Sequence, residues 1–491
     1  MSTQTLTPRR SGGAVWTVVL VAGAVFLGGQ LVNGGPMIRV VTAIVVMLVL
    51  VIPALEHPRK AIVGLFILLP FMGMIRHAFL SSTGPAFLDP LLLITSAVSL
   101  TVFVSLTLNN EMDFGGTPAS KLVFFFLVLG LIQVFNPNQG EGVSALLVGF
   151  TGVMINLIPI SFFFIGRSIS DHAVTQRMIK TVILIGVLTA LYGMSQVFFG
   201  FRGFERSFIA RGFNALTVGG TTRPFSTFNN PAEFASYLHI AATASFAMAL
   251  FSPRGKRLMW LVATCVIFYG GFLTGSRGFT VKVGLSVIVL LAARAKNRTL
   301  AFGVIVILVT GVVYWSSSTS SDSTIQDREV GQSQLIEQQL RALRDPFDAE
   351  KSTVPVHFAQ FREGVTFAVT KRPFGMGTGI ATRGGAKFGG NGAATELDIG
   401  DVFLGLGIVG GVLYLLIILT TITQASRVRR SLPGPVWIGI WTIACTSVGA
   451  WVIGGNYAVV PLIWFLLGAS DGAYKRLRAR GLIGEADPTP A

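Results

Sequence analysis

The stretch RPFSTFNNPAEFASYL, residues 223–238, combines residue types that bind anions with the start of an apolar helix. Asparagine is a preferred N-cap, proline suits the first helical position and glutamate at the third completes a capping box. Asn230, Pro231 and Glu233 therefore predict a helix that begins at Pro231. The N–H groups and the positive dipole end of such a helix attract anions, and the guanidinium of Arg223, just upstream, binds phosphate oxygens bidentately. The stretch predicts half of a phosphate-binding site; a purely structural cap explains the capping residues but not Arg223.

A second basic position lies in LTGSRGFTVK, residues 273–282, between two apolar segments. The Ser-Arg-Gly at its centre leaves almost no loop, so Arg277 is expected at the membrane edge. Lys282 lies about 7 Å deeper at 1.5 Å rise per residue. An ionisable side chain within a span is a functional candidate, but Lys282 can also extend its ammonium outward, and we expect the latter. His239, within another apolar segment, is predicted to be a satisfied interior histidine.

A third polar element is FREGVTFAVTKRPFGMGTG, residues 361–379, followed by ELDIGDVFLGLGIVGG, residues 396–411. Three glycines at alternate positions near the end of the first stretch predict a tight turn after a short amphipathic helix that carries Arg362. A Gly-x-Gly-x-Gly sequence is weak evidence for nucleotide binding, and no strand or P-loop lysine pattern accompanies it. We therefore predict no nucleotide site here.

The segments that must position these residues are strongly apolar. Of the 491 residues, 52% are hydrophobic and only 12% are charged, against roughly 25% charged residues in soluble domains. Apolar segments of about 20 residues recur throughout, each long enough to cross a ~30 Å hydrocarbon core. The sequence predicts an all-α polytopic integral membrane protein with about fourteen transmembrane helices. The predicted segments are 14–32, 37–55, 60–75, 87–107, 121–135, 144–166, 178–199, 232–251, 257–274, 278–293, 299–316, 401–423, 435–453 and 457–470.

The formal net charge of +16 is explained by membrane topology. With the N-terminus inside, short basic loops alternate correctly through all the predicted spans, as the positive-inside rule requires. Examples are Arg59 with Lys60, Arg254 with Lys256 and Arg257, and the C-terminal residues Lys475, Arg476, Arg478 and Arg480. We therefore expect both termini in the cytoplasm and no nucleic-acid partner.

That topology leaves two long segments on the outer face, residues 200–231 and 317–400. The first opposes the positive-inside rule, because four arginines face Glu205 alone. These arginines are Arg202, Arg206, Arg211 and Arg223. An anionic substrate at the outer leaflet explains them; contact with lipid headgroups or with solvent is the alternative. In the second segment, the apolar spacing over 335–343 predicts a short helix that lies on the membrane or packs on the bundle as a lid.

Taken in order, these elements resemble the O-antigen ligase and polysaccharide polymerase superfamily of membrane glycosyltransferases. The matching pieces are Arg223 with the Phe-Ser-Thr-Phe-Asn-Asn-Pro that begins at Phe225, Thr274-Gly-Ser-Arg277-Gly, Arg362 ahead of Pro373-Phe-Gly-Met-Gly-Thr-Gly, and Asp401-Val-Phe-Leu404 before Leu406-Gly-Ile-Val-Gly-Gly. The resemblance covers residues 200–425, and the first seven spans match only in being hydrophobic. Each motif is loose, but their order, spacing and common side make the match fairly specific.

The resemblance implies an enzyme that transfers a glycan from undecaprenyl diphosphate to an acceptor hydroxyl, with no metal, nucleotide sugar or other cofactor. On this resemblance, Arg223 and Arg277 hold the diphosphate and stabilise it as the leaving group, and Arg362 supports that site or the acceptor. Preorganised arginines in a water-poor site stabilise such developing charge well. The further predicted substrate-binding residues are Arg211, Asn230, Glu233 and Arg372.

One departure from the family concerns the base. Ligases of this family place a histidine just before the last outer-face helix, but residues 396–401 contain none, and His357 lies too early to match. Either Asp398 or Asp401 deprotonates the acceptor hydroxyl, or no general base is needed; Asp401 also suits an N-cap position. The missing histidine favours a polymerase over a ligase.

We therefore predict three regions: N-terminal helices (1–200), a ligase- or polymerase-like core (201–425), and C-terminal helices with a basic tail (426–491). The predicted function is polymerisation of undecaprenyl-diphosphate-linked repeat units into surface or exported polysaccharide, at the outer leaflet of the bacterial cytoplasmic (inner) membrane. The alternatives are ligation of a finished glycan to lipid or protein, transport of a lipid-linked oligosaccharide, and an assembly scaffold. A transporter is expected to show repeat symmetry, and the sequence has no clear internal repeat. Expected partners are the undecaprenyl-linked glycan, membrane lipids and other polysaccharide-assembly proteins.

Overall fold

A computed structural model describes residues 37–82, 91, 93–169, 171–210, 216–218, 221–294, 354–382, 385, 388–389, 398–452 and 456–483. Outside these residues lie two predicted spans (14–32 and 299–316), the predicted helix over 335–343, and Arg211. Helices dominate the described part of the chain. Its strands, β1 (Thr217–Val218) and β2 (Thr221–Thr222), form a small antiparallel hairpin.

The helices follow one another with short connections. In chain order they are α1 (Met37–Glu56), α2 (Pro58–Leu68), α3 (Met72–Ser82), α4 (Leu93–Leu108), α5 (Pro118–Ile132), α6 (Gly142–Gly152), α7 (Ile158–Ile169), α8 (His172–Phe199), α9 (Gly203–Ile209), α10 (Pro231–Phe251), α11 (Arg254–Phe272), α12 (Arg277–Arg294), α13 (Val354–Thr370), α14 (Asp398–Ser431), α15 (Pro435–Thr446) and α16 (Val459–Ala479). Short 3₁₀ turns cover Leu69–Phe71, Gln133–Phe135 and Pro137–Gln139, and a π-helical turn, Val153–Leu157, joins α6 to α7.

The apolar helices are consistent with an α-helical membrane protein. Within the described residues, six helical stretches are long and apolar enough to cross a membrane. They are Pro58–Ala78, Pro118–Phe135, Gly142–Ile169, His172–Phe199, Pro231–Phe251 and Asp398–Ser431. Three shorter apolar helices are Val45–Glu56, Leu93–Leu108 and Pro435–Thr446. Helix is present in each predicted span that falls on described residues, while the total of fourteen spans stays a prediction.

Helices α7 and α16 pack with their backbones in contact. A Cβ atom on Gly166 would overlap the carbonyl of Phe465, and one on Gly468 would overlap the carbonyl of Phe163. Small residues permit such close approach between helices in a membrane, where packing rather than water exclusion drives association. This helix pair fixes α16 in the centre of the molecule, with Trp464 fully buried.

A buried ionic network joins the end of α7 to α16 and to the start of α5. Arg167, fully buried, forms ion pairs with Asp471 and with Asp113, the latter at 3.2 Å between Nε and Oδ2. Thr117 Oγ1 donates to Asp471 Oδ2 at 2.9 Å, and Lys475 Nζ donates to Asp113 at 2.8 Å. Two carboxylates and two cations thus neutralise one another at this end of the bundle.

Helix α14 doubles back on itself, which differs from the continuous span predicted over 401–423. Gly407 has φ 69° and ψ −164°, so the helical path breaks there. Tyr414 donates to Asp398 Oδ2 at 2.5 Å, although sixteen helical positions would separate these residues by about 24 Å. The two parts, 398–406 and 408–431, therefore form a hairpin with its apex at Gly407. Because residues 408–431 extend about 36 Å, they alone are long enough to span a membrane.

Candidate functional site

The loop that begins at Arg223 is held rigidly by α8. Gln196 Oε1 accepts the N–H groups of Phe225 and Ser226 at 3.1 and 2.7 Å, and its Nε2 donates to the Ser226 carbonyl. Ser226 adopts a left-handed φ of 53°, and its hydroxyl donates to the Thr189 carbonyl at 2.7 Å. These buried bonds fix the backbone that leads from Arg223 to α10.

Helix α3 and the 3₁₀ turn before it, Leu69–Phe71, hold the same loop from the other side. Thr227 Oγ1 donates to the Pro70 carbonyl at 2.6 Å, and the Thr227 carbonyl accepts the Met74 N–H at 2.7 Å. Gly73 lies so close to the Phe228 backbone that a Cβ atom would overlap it. The Phe-Ser-Thr-Phe motif is therefore a structural clamp, which explains its residue types without any contact with substrate.

Arg223 reaches the turn that carries the second basic motif. Its Nε donates to the carbonyl of Thr274 at 2.7 Å, and Thr274, fully buried, closes the turn between α11 and α12 by donating from its hydroxyl to Gly271. Burial lowers the pKa of Arg223, and the positive charge of Arg277 lowers it further. The structure thus brings Arg223 and Arg277 together at the end of the bundle where α10 and α12 begin.

This arginine pair lacks a balancing carboxylate among the described residues. Arg277 Nη1 is buried and has no hydrogen-bond partner there. Glu205, the acidic residue of the same loop region, is fully buried and accepts from Tyr192, Gln196 and the Arg202 backbone instead. Because arginine stays charged at neutral pH, two adjacent positive charges remain available to an anion.

The predicted N-cap of α10 is confirmed. Asn230 Oδ1 accepts the Glu233 N–H at 2.8 Å, while the Glu233 carboxylate accepts from Asn229, the residue before the cap, and from the Ala458 N–H at 2.9 Å. Arg76 donates to Asn229 as well. Glu233 is only 1% exposed, so Asn230 and Glu233 have structural partners, and a role for them in substrate binding stays a prediction.

Asp398 begins α14 inside the bundle rather than at its surface. It is fully buried, and besides Tyr414 it accepts the Trp451 N–H on Oδ2 at 2.7 Å. Its other oxygen, Oδ1, has no hydrogen-bond partner among the described residues.

Asp401 lies in the first turn of α14, not at the N-cap position suggested by its sequence context, because the helix already begins at Asp398. It lines a cavity of about 40 Å³ together with Asn156, Thr378 and Val452, which is room for roughly two or three water molecules. Asn156 belongs to the π-helical turn, a type of distortion that is frequent at functional sites. Asp401 is therefore placed to meet a small polar group.

The glycine-rich loop after α13 packs against the break in α14. The N–H groups of Met376 and Gly377 donate to the carbonyls of Leu404 and Gly405 at 2.9 and 2.8 Å, and the Ile408 N–H donates to the Pro373 carbonyl. These bonds satisfy backbone groups that the broken helix leaves free, as a non-helical segment within a bundle requires.

Amide side chains that the sequence analysis did not single out hold this loop. They are Gln133, Asn136, Asn138, Gln139 and Asn156, each bonded to a backbone group within residues 374–379. The first four have a signal in the sequence, the amide cluster QVFNPNQ between two apolar segments, whereas Asn156 lies within an apolar segment. Residues before position 200 thus hold the glycine-rich loop in place, although the family resemblance covers only residues 200–425.

The other predicted arginines are not part of the pair. Arg372 Nη1 donates to Asn138 Oδ1 at 2.8 Å. Arg362 is exposed on α13, and no contact between described residues links it with Arg223 or Arg277. Their predicted roles, like that of Arg211 outside the described residues, stay predictions. No model of a known protein family matches the chain, and no curated protein sequence matches it either.

Proposed function

We propose that the protein is a membrane glycosyltransferase that polymerises undecaprenyl-diphosphate-linked repeat units at the outer leaflet of the bacterial cytoplasmic membrane. The observation that carries the proposal is the contact between Arg223 and the Thr274 turn, which sets two uncompensated arginines side by side. A diphosphate carries the charge and the oxygen geometry that such a pair binds bidentately. Neither lipid headgroups nor solvent explain why Arg223 is fixed by a clamped loop.

The chemistry follows from the charges. An acceptor hydroxyl attacks the anomeric carbon of the lipid-linked sugar, the bond from that carbon to the diphosphate oxygen breaks, and the electron pair stays on the diphosphate. Arg223 and Arg277 stabilise the charge that develops there, a contribution that is large in a preorganised, water-poor site. The hydroxyl proton passes to a carboxylate, for which Asp398 and Asp401 are the candidates.

The test measures glycan transfer by the purified protein in detergent that contains EDTA. Undecaprenyl-diphosphate-linked repeat units are the sole source of sugar. We expect a ladder of lengthened glycans from the wild type and at least ~100-fold less from Arg223→Ala and from Arg277→Ala, as for removal of one charge-stabilising donor. Arg254→Ala is the matched control, because Arg254 is exposed at the other end of α11, and it is expected to keep full activity.

Three other outcomes change the proposal. Transfer to an added lipid or protein acceptor without lengthening moves the protein to the ligase type. Turnover that survives both arginine substitutions removes the arginine pair from the mechanism. No transfer with any acceptor, together with movement of the lipid-linked glycan across reconstituted vesicles, replaces the enzyme with a transporter.

A further inference from the structure

A buried histidine on α3 has no polar partner. His77, near the end of the apolar stretch Pro58–Ala78, is only 1% exposed, and neither ring nitrogen has a hydrogen-bond partner among the described residues. Another buried histidine differs, because His239 Nε2 contacts Thr446 Oγ1 at 3.0 Å and Ser286 Oγ at 3.3 Å. His239 is therefore a satisfied interior histidine, as predicted. Since buried polar groups are nearly always hydrogen-bonded, the two unpaired nitrogens of His77 need an explanation.

Aromatic rings cover the imidazole of His77. The ring of Phe208 stacks on it with 3.7 Å between the ring centroids and 22° between the planes. Phe225 meets it edge-on at 5.1 Å, and both phenylalanines are buried. Phe208 belongs to α9, which packs on α3, and Phe225 belongs to the loop that follows Arg223. Three elements therefore meet at His77: α3, α9 and the Arg223 loop.

Helix α9 is held in place by two different kinds of contact. Glu205, one turn before Phe208, accepts hydrogen bonds from two side chains of α8, Tyr192 at 2.9 Å and Gln196 at 2.7 Å. Phe208, near the other end of α9, is held on α3 by ring contacts alone. We call α9 the flap. Because it has only seven residues, it is too short to stay helical in water without these contacts.

We propose that the contact between Phe208 and His77 is an acid-sensitive latch, which holds the flap on α3 while His77 is neutral and releases it when His77 takes up a proton. With the flap closed, the imidazolium would be buried with a full charge, two N–H donors and no acceptor, which is strongly unfavourable. With the flap open, water satisfies both donors, and an exposed histidine takes up its proton near pH ~6.5. Protonation therefore favours the open flap.

The charged groups on the elements around His77 do not balance an imidazolium. They are Arg76 on α3, Glu205 and Arg206 on α9, and Arg223 at the start of the loop. Glu205 is the one anion of this set, and its carboxylate accepts from α8 and from the Arg202 N–H instead. Among the described residues, no carboxylate forms a hydrogen bond or an ion pair with His77. A proton on His77 therefore has no partner until the flap opens.

The direction and size of the pH effect follow from this difference in proton binding. The closed flap keeps its full stability above pH ~6.5 and loses stability as the pH falls below that value, because the open state alone binds the proton. The ratio of open to closed flap therefore rises about 30-fold between pH 7.5 and pH 5.0. Opening also removes the contact of Phe225 with Phe208, so acid is expected to loosen the loop that begins at Arg223. This inference does not depend on the proposed function.

Hydrogen–deuterium exchange of the purified protein in detergent tests the latch, because the exchange of the flap amides reports the open state even when it is rare. His77→Phe keeps an aromatic ring under Phe208 but cannot take up a proton. Comparison of the wild type with this variant at the same pH removes the effect of pH on the exchange chemistry itself. Relative to His77→Phe, the wild-type flap is expected to lose protection about 30-fold from pH 7.5 to pH 5.0.

Two further variants and an internal reference complete the experiment. Phe208→Ala removes the stacked ring, so its flap is expected to exchange fast at both pH values. His57→Phe is the matched control, because His57 is exposed at the start of α2, and it is expected to keep the wild-type pH response. The amides of α16, the buried central helix, are expected to stay protected at pH 5.0 in every variant.

Three results would overturn the latch. Equal loss of flap protection in the wild type and in His77→Phe assigns the acid response to another group, such as Glu205. Unchanged protection of the wild-type flap at pH 5.0, relative to the same variant, shows that the closed flap tolerates the imidazolium. Equal loss of protection in α9 and α16 shows general unfolding rather than opening of the flap. Since the measurement involves no glycan transfer, its outcome is separate from that of the proposed function.

Discussion

Replacing Gly407 with alanine is expected to open the α14 hairpin. Gly407 has φ 69° and ψ −164°, a backbone conformation that is essentially restricted to glycine. An added methyl group would also overlap the Pro373 carbonyl and approach the Gly375 nitrogen at 2.7 Å. Both neighbours are backbone atoms of the glycine-rich loop, so no side chain can rotate away to make room.

The cost of this substitution follows from two contributions. Strain at such a backbone position is of the order of 1–3 kcal/mol. The loop must also move, which lengthens the 3.0 Å bond from the Ile408 N–H to the Pro373 carbonyl and loses about 1 kcal/mol. A total of roughly 3 kcal/mol raises the population of the opened hairpin about 100-fold.

Cysteine cross-linking measures this opening directly. The ring of Phe403 lies against Gly411, although eight residues of continuous helix would separate them by about 12 Å. With both native cysteines replaced by alanine, Phe403→Cys/Gly411→Cys is expected to form a disulfide, and Gly407→Ala to slow its formation and lower the melting temperature. Gly284→Ala is the control, because that glycine has open space around it. Equal melting and cross-linking in the Gly407 and Gly284 variants would refute the hairpin.

Two further predictions concern the ionic network at the other end of the bundle. Arg167→Met leaves Asp471 buried and unpaired and is expected to destabilise the protein by about 3–5 kcal/mol, most of which Arg167→Met/Asp471→Leu restores; equal melting of the single and double variants contradicts this. Burial alone would raise the pKa of Asp113, but hydrogen bonds with Lys475 and the charge of Arg167 hold it below 3.8. A depressed carboxyl pKa stabilises the fold above that value, and this contribution is lost as pH falls through the folded-state pKa. Melting temperature against pH is therefore expected to fall less steeply below pH 3.8 in Asp113→Asn, and parallel curves contradict it.

Local signals in the sequence predicted the helices and the start of α10 well. Apolar length and charge alternation predict where helices occur, and the Asn-Pro-x-Glu pattern correctly predicted the cap at Asn230, because a cap depends on residues within one turn. The contact of Arg223 with the Thr274 turn joins positions 51 residues apart, and only the order of motifs suggested it.

The remaining features of the fold and the site depend on contacts between distant parts of the chain, which no local sequence pattern indicates. The α14 hairpin arises from a single glycine in an apolar run that reads as one continuous span, and nothing within that run marks Gly407 rather than its neighbouring glycines. Asp398 was predicted, with Asp401, as a candidate base for the acceptor hydroxyl, and its burial follows only from the fold-back that carries it to Tyr414. The amides that hold the glycine-rich loop lie more than 200 positions before it.

Buried arginines are paired with carboxylates at one end of the bundle and not at the other. This contrast favours a ligand site at the Arg223–Arg277 pair over charge that is simply solvated. Arg167 is paired with two carboxylates, as a cation that serves only the fold must be, because an unpaired buried charge costs several kcal/mol. At the other end, no carboxylate among the described residues pairs with Arg277, whose Nη1 is buried without a partner there, and Arg223 has a positive neighbour. A protein stabilised by paired charge at one end has no structural reason to leave charge unpaired at the other. The anionic substrate of the proposed function, bound between the two arginines, would supply that reason.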